Sequence, residues 1–254
     1  MHWDSEKNQV FNEKFKSEVF KVSQKELELR LERAQHYSIE ERSRQAFGAV
    51  FETLAINENL EKHPEGEKQN SIRILIQDLF QLAEGALGEA SPSKPDFVSV
   101  IFDQQGKLVI DEIVEIKSSV KALNHGITKT QSQPQNTIQT IERIVEILNT
   151  LKNTPEESKD VTINNLLVEH NRYQKHILSI AYQRINSLDL TEDISFSNTL
   201  RYHIILPAGE FGQNQDFKVV TKDQKPISIL IDRSKFSQKD VHKVIDHYAE
   251  NNIE

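Results

Sequence analysis

The sequence predicts a mixed α/β (α+β) chain in which helices flank a central sheet. Three observations carry this expectation. Helical periodicity dominates the first third of the chain. Two apolar runs around a short turn follow at 97–116, and further β-rich stretches return only after a second helical region. A length of 254 residues suits one large domain, or one domain with an appendage. A hydrophobic content of 37% supplies a core, and a charged content of 28% supplies a strongly solvated surface.

The elements follow in chain order. Residues 1–22 are polar, with Phe11, Phe15 and Val19 at helical spacing, and read as a short amphipathic helix or docked arm. Residues 25–60 read as helix, charged early and apolar on nearly all sides from Ala46 to Ile56, which predicts burial there. Glu61-Lys-His-Pro-Glu-Gly breaks it, and Ile72, Leu75, Ile76, Leu79 and Leu82 space a second helix over 71–87. Ser91-Pro-Ser-Lys-Pro is an extended loop. Runs 97–102 and 108–116 form a hairpin, followed by a polar loop over 118–132. A helix over 135–151 has Pro134 near its first turn, where the missing N–H is tolerated. A charged linker at 152–160, a helix at 162–187 and a polar loop at 188–198 come next. Strands are expected at 201–207, 216–221 and 226–231, and a C-terminal helix over 237–248 is capped by Ser237. The expected domains are a helical arm over 1–45 and a main domain over 46–254, with a helical insertion at about 152–198.

Several function classes are disfavoured. With no cysteine there is neither a disulfide nor a thiolate metal site, and a reducing cytoplasm is the natural setting. The opening Met-His-Trp-Asp-Ser-Glu lacks the basic start and apolar stretch of a signal peptide. No apolar run approaches the ~18 residues of a membrane span. No glycine-rich phosphate loop and no nucleophile elbow is present. His170 and His176, or His242 and His247, do not match the spacing of a zinc helix, so the histidines are expected in ordinary surface roles. A net charge of −8 sits awkwardly with a phosphate-binding protein, although a local basic patch suffices. Trp3, Phe11 and Phe15 read as docking or dimer contacts.

The hairpin carries the chemistry. If Gln105-Gly106 is a two-residue turn, Gln104 faces Lys107 and Asp96 faces Glu115, with their Cβ atoms roughly 5 Å apart. Strand alternation puts Lys117 on the face of Glu115. Two adjacent carboxylates repel unless a cation lies between them, and all-oxygen ligation selects Mg²⁺, with Mn²⁺ able to substitute. Glu52, on the apolar helix among Gly48, Ala49, Ala55 and Ile56, is the expected third ligand, because an unpaired buried carboxylate is costly. Gly48 is expected to admit a close backbone. Asp103 and Asp111 lie near the turn and are expected to be solvated.

Pro95-Asp96, then Glu115-Ile116-Lys117, preceded by a helix bearing Gly48-Ala-Val-Phe-Glu52, resembles the PD-(D/E)XK nuclease superfamily over about residues 45–150, with a further strand at 201–206. The resemblance implies a restriction-endonuclease-like core with extra N-terminal and 160–190 helices, and Mg²⁺-dependent hydrolysis of DNA, with RNA as the alternative substrate. It implies metal ligation by Glu52, Asp96 and Glu115, and assistance of the attacking water by Lys117. A glutamine on the following helix, Gln131, Gln135 or Gln139, and the lysines Lys121 and Lys129 are implied substrate contacts. Cleavage of two strands also invites a homodimer. The chain departs from the family pattern where a strand is expected before Asp96, since 63–95 reads as helix and loop. The rival expectation is a non-catalytic interaction module, motivated by the acidic balance and the long charged helices.

Overall fold

The computed structural model describes residues 39–62, 66–86, 94–120, 133–167, 172–209, 219–220 and 226–251. The expected arm with Trp3, Phe11 and Phe15, together with Lys121, Lys129 and Gln131, lies outside them. Helices α1 (Ile39–Lys62) and α2 (Glu67–Ala86) precede strands β1 (Phe97–Phe102) and β2 (Leu108–Ile116). Then come α3 (Gln133–Lys152), a 3₁₀ turn (Glu156–Ser158), α4 (Lys159–Leu166) and α5 (Arg172–Ser187). The chain ends with β3 (Ser195–Ala208), β4 (Val219–Val220), β5 (Pro226–Ser237) and α6 (Gln238–Asn251).

The strands form one mixed sheet in the order β1-β2-β3-β5-β4, in which four long strands are extended by the two-residue β4. β1 runs antiparallel to β2, whereas β2, β3 and β5 are mutually parallel. Helices cover both faces. On one face Ile72, Leu75 and Leu79 of α2, Ile141 and Leu148 of α3, and Leu178 and Ile185 of α5 pack on Val98, Val100, Ile113, Ile204 and Leu206. On the other, Phe47, Val50, Phe51 and Leu54 of α1 and Val241 and Val244 of α6 pack on Phe97, Val114, Ile116 and Ile205. Successive strand residues thus feed opposite cores, as the period of two requires.

Both hairpin strands end where the sequence places them, but the turn differs. Asp103, not Gln104, pairs with Lys107, through a 2.8 Å bond from the Asp103 N–H to the Lys107 carbonyl. Asp103 is not merely solvated: its Oδ1 accepts the N–H groups of Gln105 (2.9 Å) and Lys107 (2.8 Å). These bonds close a three-residue loop with Gly106 at φ +78°, the left-handed conformation that a side chain disfavours. The pairing is therefore one residue out near the turn, where Phe102 faces Leu108. A bulge between Val100–Ile110 and Ser99–Glu112 takes up the extra residue, so Phe97 faces Val114 as the expected register requires.

The extra residue is Asp111, expected in solvent but only 6% exposed and held by Arg201 Nη2 at 2.7 Å. Its place beside the turn in sequence hides its place under β3 in space.

Other expectations shift for identifiable reasons. β3 begins inside the expected loop because the Asn149 side chain clamps Ile194 through two 2.8 Å bonds. β5 extends to Ser237 where Glu58 of α1 accepts from Ser234 Oγ (2.6 Å) and the Lys235 N–H (3.0 Å). The expected 162–187 helix is α4 and α5, and α5 packs into the first core. The boundary expected at 45 falls inside α1. The described residues before β1 hold no strand: α2 occupies 67–86 and leaves β1 as the sheet edge. Ser237 caps α6 as expected, its hydroxyl donating to Asp240 Oδ2 (2.8 Å) and accepting the Asp240 N–H (3.3 Å).

Arg201→Met should destabilise the fold by roughly 2 kcal/mol, below the cost of breaking a fully buried pair, because Arg201 is 37% exposed. Arg201→Met/Asp111→Leu should recover most of that loss. Urea unfolding at unchanged slope measures both, and a double variant as unstable as the single one would contradict the pairing.

Candidate active site at the end of the hairpin

The site forms where β1 begins and β2 and β3 end. Asp96 occupies the bend before β1 and is half-buried. Its N–H donates to the Val114 carbonyl (3.0 Å), and its Oδ2 accepts the Ile116 N–H (2.6 Å). The side chain thereby replaces a rung of the ladder and holds its carboxylate against the end of β2.

Glu115 is 6% exposed. Its Oε1 is bonded to the Lys117 ammonium, and its Oε2 accepts from the Tyr202 hydroxyl at 3.3 Å. The Lys117 N–H bonds the Ile205 carbonyl (3.0 Å), so its backbone is fixed on β3 while its amine reaches back over Glu115. Asp96, Glu115 and Lys117 thus come together as the hairpin register predicts.

The electrostatics are those of crowded carboxylates. The Asp96 carboxyl is raised from 3.8 to about 7, first by burial, then by the charges of Glu115 and Glu52; the Ile116 N–H and Lys117 oppose the rise. The Tyr202 hydroxyl is pushed well above 10, first by burial and then by the Glu115 charge. It therefore stays protonated and donates to Glu115.

Glu52 lies close enough for its charge to act on Asp96, but it is half-buried rather than enclosed by apolar neighbours. Gly48 has nothing within 4 Å of where a Cβ would stand, so it admits no close backbone. Among the described residues, no three His, Asp or Glu side chains stand together as a metal site. The expected three-carboxylate cup is thus not assembled in this arrangement, in which Lys117 engages Glu115. The donor chemistry nevertheless fits a hard cation: the oxygens belong to carboxylates, and the charges of Glu115 and Glu52 add to burial in raising Asp96.

Two residues join the site that the sequence did not single out. Tyr202 lies in a strand read only as buried, and Thr137 of α3 hydrogen-bonds its hydroxyl. The available signal was Tyr202 itself, a polar tip inside an Ile/Leu strand that needs a partner when buried. Gln139 is exposed and Gln135 is half-buried. Each is two positions from Thr137, about 200° around the helix, so neither shares its face.

Comparison with protein-family models, with curated proteins and with solved structures finds no match to this chain. No described helix is long and apolar enough to cross a membrane.

A pH test follows from Asp96. The native carboxyl titrates near 7 and the ordinary one near 3.8, so between these values the native state holds more protons than the unfolded state. Stability then falls as pH rises, with the full penalty present above 7. Asp96→Asn, whose amide oxygen still accepts the Ile116 N–H, should raise Tm by several degrees at about pH 8 and change it little near pH 4. Thermal unfolding at both pH values checks this, and an equal gain at both would refute the raised carboxyl.

Proposed function

We propose that the chain is a divalent-metal-dependent nuclease, with a restriction-endonuclease-like arrangement at the hairpin and DNA as the first candidate substrate. The observation that carries the reading is the convergence of Asp96 and Glu115 beside Lys117, with Asp96 raised to about 7 first by burial and then by its acidic neighbours. Asp96 and Glu115 would hold Mg²⁺ or Mn²⁺, with Glu52 as the third candidate ligand. Such an ion supplies a polarised phosphoryl oxygen and a water of lowered pKa.

The chain's own residues do the rest. Asp96 must give up its proton to ligate, so occupancy is proton-linked. Lys117, whose backbone is bonded to β3, offers an ammonium to a phosphate oxygen or to the attacking water. Tyr202, protonated and anchored by Thr137, keeps the far oxygen of Glu115 in place and so positions the carboxylate.

The Lys117–Glu115 pair also favours a second reading, a catalytically silent module that binds a protein partner. In that reading the ammonium already satisfies the carboxylate, and the cluster is structural.

Plasmid, linear and single-stranded DNA, and RNA, incubated with Mg²⁺ or Mn²⁺ separate the two. Cleavage should fall at least about 100-fold in Asp96→Asn, Glu115→Gln and Lys117→Met, the scale of losing a charge-stabilising group. Activity that survives these changes removes the residue assignment, and no cleavage of any substrate favours the silent module. By calorimetry, Mn²⁺ affinity should weaken about tenfold per pH unit below 7 and level off above it, because the Asp96 proton competes with the ion. A flat profile, or binding kept in Glu115→Gln, would place the ion elsewhere.

A further inference from the structure

The Lys117–Glu115 pair joins a fixed carboxylate to a movable cation. Glu115 is 6% exposed and is bonded at both oxygens. Its Oε2 accepts from the Tyr202 hydroxyl at 3.3 Å. Tyr202 is 1% exposed, packed in the first core, and has Thr137 on its hydroxyl, so that side of the carboxylate is held in place. Its Oε1 is bonded to the Lys117 ammonium, on a side chain that is 21% exposed. The Lys117 backbone is pinned, because its N–H bonds the Ile205 carbonyl (3.0 Å). The amine itself sits on a flexible four-carbon stem just past the end of β2. It can swing off Glu115 without moving the strand or the carboxylate.

Charge balance gives the ammonium a role in this position. The charges of Glu115 and Glu52 both act on Asp96, and Lys117 acts on it in the opposite sense. Carboxylates this close repel, and burying them costs least with a cation among them. The Lys117 ammonium is that cation here. It also holds the oxygen that a metal would need. Two cations on one carboxylate oxygen would stand only ~3–4 Å apart and repel strongly in a site shielded from water.

We propose that Lys117 is the resident counter-ion of the hairpin site: its ammonium must leave Glu115 Oε1 before that carboxylate can ligate a divalent cation, and the exchange frees it for a substrate phosphate. The inference rests on the metal site of the nuclease reading and adds a regulation to it. Before the exchange, the ammonium stabilises the carboxylates and is committed to them. After it, the amine is uncommitted yet stays at the site, because the bond to Ile205 keeps the residue there. The pair therefore makes metal binding weaker than the carboxylates alone would allow. By the reciprocity of linked equilibria, a phosphate group that draws the ammonium away strengthens metal binding in turn. The Lys117–Glu115 bond is then the resting state of the site rather than a permanent structural contact.

Calorimetric titration of the full chain with Mn²⁺ at about pH 8, where Asp96 is largely ionised, reads the exchange. Lys117→Met should bind Mn²⁺ roughly tenfold or more tighter than wild type, the scale of one charge-assisted hydrogen bond, even as it loses cleavage. Thermal unfolding gives a second readout. In EDTA, Lys117→Met should melt below wild type, because its carboxylates have lost their cation. Mn²⁺ should then raise its Tm more than it raises that of wild type. If Lys117→Met does not fold, Lys117→Gln, which is neutral but still a donor, should show the same directions. Variants that bind Mn²⁺ no more tightly than a wild type that does bind overturn the counter-ion role and leave the metal site standing. Absence of Mn²⁺ binding from wild type and variants alike overturns both.

Discussion

Three carboxylates buried in one central strand set the terms for the rest of the structure. Every residue of β2 is buried, including Asp111, Glu112 and Glu115. A strand covered on both faces is ordinarily a continuous apolar run, because an unpartnered charge there is expensive to desolvate. The neighbouring strand answers with Arg201, Tyr202 and His203 in succession. Arg201 takes Asp111, Tyr202 takes Glu115, and His203 stands beside Glu112. Removing one partner from such a pair leaves the other buried and uncompensated, and for that reason the β2–β3 register is fixed by polar as well as apolar contacts.

The hairpin turn and its bulge are two halves of one adjustment. A three-residue loop shifts the pairing by one, and the bulge at Asp111 shifts it back. Without the second shift, Asp96 would not meet the end of β2, and the alternation of β2 would send the wrong residues to each core. The bulge also directs Asp111 toward Arg201. Local backbone chemistry at Asp103 and Gly106 therefore reaches the candidate site through strand register rather than through contact.

Strand alternation also separates two kinds of chemistry. Glu115 and Tyr202 face the layer of α3, where Thr137 completes the network. Glu112 and His203 face α1, where Asn59 meets them. The first cluster is all oxygen and ammonium, and the second contains an imidazole.

The sequence by itself determined helices α1, α2, α3 and α6, both hairpin strands to the residue, the Ser237 cap and the meeting of Asp96, Glu115 and Lys117. Each depends on periodicity or on neighbours close in the chain. The tertiary structure decided what depends on distant partners. Asp111 reads as a turn residue until β3 places Arg201 over it, and the histidines read as surface groups until β3 carries His203 between two helical layers. The bond between Thr137 and Tyr202 and the half-burial of Glu52 were likewise illegible, whereas the helix before β1 was legible from its own periodicity. The reason is physical: side-chain spacing along one element reports which face is apolar, whereas the partner of a buried charge is supplied by another element, and only packing chooses it.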